Sequence, residues 1–185
     1  MSESGAKSQE TTNLPALAAE LADRVDLVDI RLIETAARCT PAMVQAQLLP
    51  PKLTASPHAP ANQLPERLRF QVTHECQRGE NALLVFLNLT VDALPQGESP
   101  EPLLHVDGRF LLVYVLRTTD GITDEHCDAF AEYNAIFNAW PYWREYVQSA
   151  TVRMGLPGLI LPVYRFGQRF GGSERSGVSK QPSEK

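Results

Sequence analysis

The stretch that decides the fold covers residues 129–162 and reads AFAEYNAIFNAWPYWREYVQSATVRMGLPGLILP. Apolar and aromatic residues recur at helical spacing as far as Trp140, where Pro141 interrupts the pattern. Because proline lacks a backbone N–H and disfavours helix at the residue before it, Pro141 marks either a kink or the first position of a second helix ending near Met154. Gly155 suits the C-terminal cap. The stretch has no nucleophile–base pair and no set of metal ligands, so it favours packing and binding over catalysis.

Length, charge and cysteine content narrow the class of protein. A chain of 185 residues is sufficient for one domain with tails. The net charge of -5 argues against a general nucleic-acid-binding protein, which needs a basic surface. Three cysteines without CxxC spacing, Cys39, Cys76 and Cys127, favour a reducing compartment over a disulfide framework or a zinc site.

The ends of the chain indicate tails around a single domain. Residues 1–12 are polar and lack the apolar segment of a signal peptide, so we expect a disordered tail there. Residues 167–185 are rich in Gly, Ser, Lys and Glu, which predicts a flexible tail. No apolar run approaches the ~18 residues that a membrane span needs. We therefore expect a domain at residues 13–166 in a soluble, cytoplasmic protein that does not insert into membranes.

Four strands are predicted before the long helix. They cover residues 27–37, 66–76, 82–91 and 103–116, and a hairpin joins the second to the third. Gly108 interrupts the fourth strand, which predicts a bulge. The third and fourth strands are apolar on both faces, whereas an antiparallel strand with one wet face should alternate. This surplus of apolar surface predicts that the chain forms an oligomer.

A proline-rich segment at residues 41–65 follows the first strand. Its six prolines exclude a long helix or a central strand. A long loop inside a compact domain is often functional, although a disordered insertion remains the alternative. Its apolar residues are the first candidates for binding a partner: Met43, Val44, Leu48, Leu49 and Leu53.

Two segments resemble a known family. The sequence NAWPYWREYVQSATVRMGLPGLILP resembles the long helix and following segment of the SecB family of protein-export chaperones. The segment VDIRLIETAA resembles the first strand of the SecB-like chaperones that protect antitoxins in toxin–antitoxin systems. The order of elements also fits, and the resemblance extends from Val28 to Leu161.

The resemblance implies an α+β fold with a four-stranded antiparallel sheet and a long kinked helix packed on one face. It implies a homotetramer, a dimer of dimers, that binds unfolded polypeptides in apolar grooves without ATP or a cofactor. Clients would be exported preproteins or an antitoxin, bound near the loop after the first strand and along the helices. The alternative is a non-chaperone subunit with one fixed protein partner, and we expect no enzyme activity.

The resemblance also gives a second set of candidate residues. Trp140, Tyr142 and Trp143 would line a client groove, unless they pack in the subunit core or at the tetramer interface. Asp29 matches one acidic position of the patch through which export chaperones dock the SecA motor. The third strand, however, has Val85 and Leu87 where a second carboxylate is expected. This difference makes SecA a doubtful partner and favours a dedicated client.

Two His–Cys pairs contain residue types that serve in catalysis or in metal binding. His74 and Cys76 share a face of the second strand, and His126 precedes Cys127 near the start of the long helix. Two ligands do not make a metal site, and adjacent helical residues point apart. We therefore expect neither a metal nor a catalytic pair.

Overall fold

The computed structural model of the chain describes residues 13–41, 43, 67–95 and 101–165. The predicted tails, most of the proline-rich segment and residues 96–100 lie outside the described residues. The elements, in chain order, are α1 (Leu14–Ala22), β1 (Val25–Cys39), β2 (Arg67–Arg78), β3 (Ala82–Leu94), β4 (Leu104–Leu116), α2 (Asp124–Phe130), a π-helical turn (Ala131–Ala135) and α3 (Ile136–Arg153). The last three are continuous, and together they form the long helix.

The four strands form one antiparallel sheet in the order β1-β4-β3-β2. β2 and β3 are a hairpin in which Arg78 pairs with Leu83, as the turn residues around Gly79 predicted. β4 lies between β3 and β1, so β1 is an edge strand. The four predicted strands and the α+β class are confirmed.

One face of the sheet, the inner face, packs against the long helix and forms the core. Alternate residues of β3 on this face are fully buried: Leu83, Val85, Leu87, Leu89 and Val91. Ring contacts join the sheet to the helix, with Tyr114 edge-on to Phe130 at 5.0 Å between ring centroids. The opposite, outer face of the sheet carries residues such as Leu84 and Phe86, which are half-buried.

The short helix α1 forms where the sequence predicts it. Asn13 caps its first turn by accepting a hydrogen bond from the N–H of Ala16 at 3.4 Å, and Pro15 lies in that turn. Ala18 and Leu21 are fully buried, and Ala18 belongs to a small apolar cluster with residues of the long helix. The helix thus anchors the start of the described chain beside the start of the long helix.

The bulge predicted at Gly108 is wrong. Gly108 pairs in regular register with Thr35 on one side and with Leu89 on the other. The two register shifts in this part of the sheet lie in β1, at Val28 and Ile33. Gly108 is required by close packing, because a Cβ atom there would lie 2.8 Å from a ring carbon of Trp143. The sequence could not distinguish these two reasons for a glycine in a strand.

The helix does not end at Pro141. The prediction that Pro141 starts a second helix is wrong, since α3 runs through it from Ile136 to Arg153. The irregular part of the long helix is the π-helical turn Ala131–Ala135, which precedes the proline by about one and a half turns. The predicted cap is confirmed: Gly155 follows the helix with a φ of 74°, a left-handed conformation that favours glycine.

Candidate functional site

The exposed edge of β1 is the first candidate surface. β1 pairs with β4 along one side, and its other side has no strand partner among the described residues. Four of its apolar side chains are exposed, from 38% for Leu32 to 62% for Val28. A long edge strand with apolar side chains is a ready template for pairing with another chain.

An open cleft of about 490 Å³ lies between this edge and α3. Its walls are Leu32, Ile33, Glu34 and Thr35 of β1, and Glu145, Tyr146, Ser149 and Arg153 of α3. The lining combines apolar and charged side chains without a nucleophile–base pair. We name this surface the edge cleft.

The three aromatic candidates of the helix have different environments. Trp143 is fully buried and Trp140 is 3% exposed, whereas Tyr142 is 54% exposed. Trp143 lies edge-on to Phe110 at 6.3 Å, and Trp140 lies 5.6 Å from Tyr164. The structure therefore places both tryptophans in the core of the chain, which was the alternative interpretation. Tyr142 presents an accessible aromatic surface.

Exposed apolar side chains occur along the long helix and the segment that follows it. The segment is residues 157–165, which we call the strap because it runs back along the helix. Its exposed apolar residues are Ile160 (63%) and Val163 (72%). On the helix itself, Phe137 and Val152 are each more than half exposed, as is Tyr142. Exposed apolar surface of this kind marks an interaction site more often than a catalytic one.

The strap is held by side chains of the long helix. The indole Nε1 of Trp140 donates to the carbonyl of Pro162 at 2.9 Å, and Nε of Arg144 donates to the carbonyl of Leu161 at 2.9 Å. The N–H of Leu159 donates to Oγ1 of the buried Thr151 at 3.0 Å. Sequence reasoning missed these contacts, because nothing local connects Arg144 to a carbonyl 17 residues away.

Of the five candidates in the proline-rich segment, the structure describes only Met43. Met43 is half-buried and packs against the main core. Val44, Leu48, Leu49 and Leu53 lie outside the described residues, so their role stays a prediction. Thr40 ties the start of this segment to the sheet by donating its N–H to the carbonyl of Leu103 at 2.9 Å.

The fold of the chain, a four-stranded antiparallel sheet with a long helix, matches a solved structure. The structure of the Mycobacterium tuberculosis Rv1957 SecB-like chaperone, in complex with a ChAD peptide from the Rv1956 HigA1 antitoxin, superposes on this chain with a TM-score of 0.63. The chain has the SecB-like fold. The match covers 83% of this chain and 99% of that chain at 24% sequence identity.

A second solved structure is less similar to this chain. A protein of unknown function from Streptococcus agalactiae superposes with a TM-score of 0.38 at 9% identity, over 75% of this chain and 96% of that chain. No protein-family model matches the sequence. No curated protein matches it either. The resemblance read from the helix and first strand thus agrees with the SecB-like fold found by structural superposition.

The outer face of this SecB-like sheet carries the predicted docking residue. Asp29 is half-buried on that face, and its Oδ2 lies 2.5 Å from Nε of Arg31. The two β3 positions named from the sequence, Val85 and Leu87, are instead fully buried on the inner face. An adjacent outer-face position of β3, Phe86, bears no carboxylate either. Neither of these β3 positions therefore adds a carboxylate beside Asp29, which is already paired with Arg31.

The SecB-like fold brings the two distant cysteines together in the core. Sγ of Cys76 lies 3.3 Å from the carbonyl oxygen of Cys127, and Nε2 of His74 lies 3.7 Å from Oδ1 of Asp128. Burial raises the pKa of the Cys127 thiol to about 11 and raises the pKa of Cys76 further. Both thiols are protonated near neutral pH, and a thiol is a poor nucleophile and metal ligand. Within the described ranges no three potential ligands gather in one place.

In the part of the chain that the structure describes, no helix combines the length and apolar character of a membrane span.

Proposed function

We propose that this protein is a SecB-like molecular chaperone that holds unfolded or aggregation-prone polypeptides in the cytoplasm. The observation that carries the proposal is the exposed apolar surface of the long helix and strap, on a chain with the SecB-like fold. The similar M. tuberculosis chaperone is bound to an antitoxin peptide. An antitoxin is therefore one proposed client, and exported preproteins are the other.

The proposed mechanism needs no ATP. A client segment would bury its apolar side chains against the helix surface, and the hydrophobic effect would supply the affinity. Hydrogen bonds to the client backbone would let the chaperone bind clients of different sequence, because main-chain N–H and C=O groups recur along every polypeptide. Tyr142 is an accessible aromatic contact. The apolar residues of the proline-rich segment are further proposed contacts: Met43, Val44, Leu48, Leu49 and Leu53.

The first test is suppression of aggregation without nucleotide. A chemically denatured, aggregation-prone protein is diluted into buffer with and without this chain, and light scattering is followed. We expect scattering to fall in proportion to the chain added and to reach a plateau near one oligomer per client. Scattering that stays unchanged at a severalfold excess would remove the general chaperone function and leave a subunit with one fixed partner.

We also propose a homotetramer, built as a dimer of dimers. The support is the free edge of β1, which offers unpaired backbone groups beside exposed Val28 and Ile33. A second copy paired along this edge would cover the edge cleft on its open side. The exposed helix residues would remain for clients or for contact between dimers.

A lysine at the edge should weaken this assembly. We expect Ile33→Lys to shift the protein from the tetramer to smaller species, because a charged side chain opposes strand pairing at an edge. Light scattering coupled to size exclusion measures the mass. The control is Val163→Lys, which adds the same charge at a 72%-exposed strap position and should keep the parental mass. Equal masses for both variants would show that β1 does not form the interface.

A further inference from the structure

The strap is bound as an extended chain rather than as part of a helix or sheet. Its contacts begin at Thr151 with Leu159 and end at Glu132, whose carbonyl accepts the hydroxyl of Tyr164 at 3.4 Å. Those two helix positions are about 28 Å apart at ~1.5 Å per residue. Five residue positions separate Leu159 from Tyr164, and they span at most about 18 Å of backbone. The strap can therefore make both contacts only when it is extended, with the Tyr164 side chain reaching on to Glu132.

The helix recognises the backbone of the strap. Trp140 and Arg144 donate to main-chain carbonyls of the strap, and Thr151 accepts from a main-chain N–H. These groups are present at every position of any polypeptide, apart from the N–H that proline lacks. Apart from the hydroxyl of Tyr164, the polar contacts of this site therefore do not depend on the strap's own side chains.

The start of the strap follows an alternating apolar pattern. Leu159 and Leu161 are each 1% exposed, whereas Ile160 between them is 63% exposed. Tyr164 adds a buried ring that lies 5.6 Å from Trp140. A surface that buries alternate apolar residues and donates hydrogen bonds to the backbone suits an extended apolar segment of another protein.

We infer that the strap occupies an extended-peptide site on the long helix, and that client segments with apolar residues at alternate positions displace it. The inference rests on the proposed chaperone function and names the client chemistry of that site. It also gives the buried Trp140 a role in binding. Its indole N–H, which donates to the carbonyl of Pro162 in the strap, would donate instead to a carbonyl of the client. Gly155, with its φ of 74°, lies between helix and strap where the chain can turn away.

The strap then sets the affinity for clients. When a site is open for only a fraction of the time, the apparent dissociation constant is the intrinsic one divided by that fraction. A client must therefore outcompete a covalently attached segment, which reserves the site for segments that are themselves strongly apolar. Holding the strap in place should remove binding, and loosening it should strengthen binding.

A disulfide between the helix and the start of the strap tests the first expectation. A Cβ atom at Gly158 would lie 3.4 Å from Cγ of Gln148, the position that a cysteine sulfur would take, so a disulfide can join the two positions. The variant is Gln148→Cys with Gly158→Cys in a Cys39→Ser background, since Cys76 and Cys127 are buried. The probe is a fluorescein-labelled peptide of the strap sequence, LPGLILPVYR, followed by anisotropy. We expect the oxidised protein to bind it at least about tenfold more weakly than the reduced protein.

Two further variants test the second expectation. Leu161→Ala removes buried strap contacts and should strengthen peptide binding about tenfold or more, whereas Thr119→Ala, at an exposed position outside the helix and strap, should leave it unchanged. Circular dichroism confirms that each variant is folded. A peptide with aspartate in place of both buried leucines should not bind to any variant.

The outcomes separate this inference from the proposed function. Equal peptide affinity for the oxidised and reduced proteins, with aggregation still suppressed by both, would overturn the strap site and keep the chaperone. Loss of aggregation suppression by the parental protein would overturn the proposed function itself. Weaker peptide binding only in the oxidised protein, together with stronger binding by Leu161→Ala, supports the strap as the occupant of a client site.

Discussion

The variant Trp143→Ala is expected to lose about 3–5 kcal/mol of unfolding free energy, measured by chemical denaturation. Trp143 is fully buried, lies edge-on to Phe110 at 6.3 Å and stacks on Tyr146 at 5.8 Å. Its ring also fills the space that the missing side chain of Gly108 leaves on the sheet. Alanine would leave a cavity that the strands and helix cannot close without repacking, which is why the cost is large.

The neighbouring tyrosine is the matched control. Tyr142→Ala changes an aromatic residue of the same helix that is 54% exposed, so the unfolding free energy should fall by no more than about 1 kcal/mol. A similar loss for both variants would contradict the orientation of α3. A comparably large loss for Tyr142→Ala alone would place that residue in an interface that the single chain does not contain.

Charging the exposed apolar face of the long helix should abolish client capture. The variant combines Phe137→Glu, Tyr142→Glu and Val152→Glu, three positions that are each more than half exposed. Glutamate is a good helix former, so the helix should persist, while burying a carboxylate against an apolar client is strongly unfavourable. We expect the concentration needed to suppress aggregation to rise at least about tenfold, which corresponds to only ~1.4 kcal/mol of binding free energy.

A single charge outside the helix and strap controls for the change in net charge. Thr119→Glu adds a carboxylate at an exposed polar position and should leave aggregation suppression unchanged. Circular dichroism and size exclusion show whether the triple variant keeps its fold and its mass. If the triple variant is folded, assembled and as active as the parent, the helix face is not a client surface, and the proline-rich segment becomes the remaining candidate.

Much of the fold could be predicted because its signals are local. Three features depend on hydrogen bonds or torsion angles within a few residues: the helix cap at Asn13, the hairpin whose turn contains Gly79, and the end of the long helix at Gly155. The resemblance in the helix and first strand gave the order of the elements, which the sheet and its SecB-like superposition confirm.

Errors arose where distant segments meet. Gly108 was interpreted as a bulge because a glycine in a strand has several causes, and only the position of Trp143 shows which one applies. Val85 and Leu87 were assigned to the docking face, since a strand that is apolar on both sides does not reveal which side faces the helix. One of the two alternatives at Pro141, the start of a second helix, was wrong because the helix runs through the proline. The π-helical turn at Ala131–Ala135 has no proline to signal it.

The sequence by itself determined the elements, their order and the absence of a local catalytic motif, because backbone torsions and nearby side chains set these properties. The tertiary structure decided which of three neighbouring aromatic residues is accessible, where the strap lies, and that Cys76 meets Cys127. These features depend on which apolar surfaces are buried together across the whole chain. Burial of that kind is a property of the packed molecule, and no single stretch of sequence specifies it.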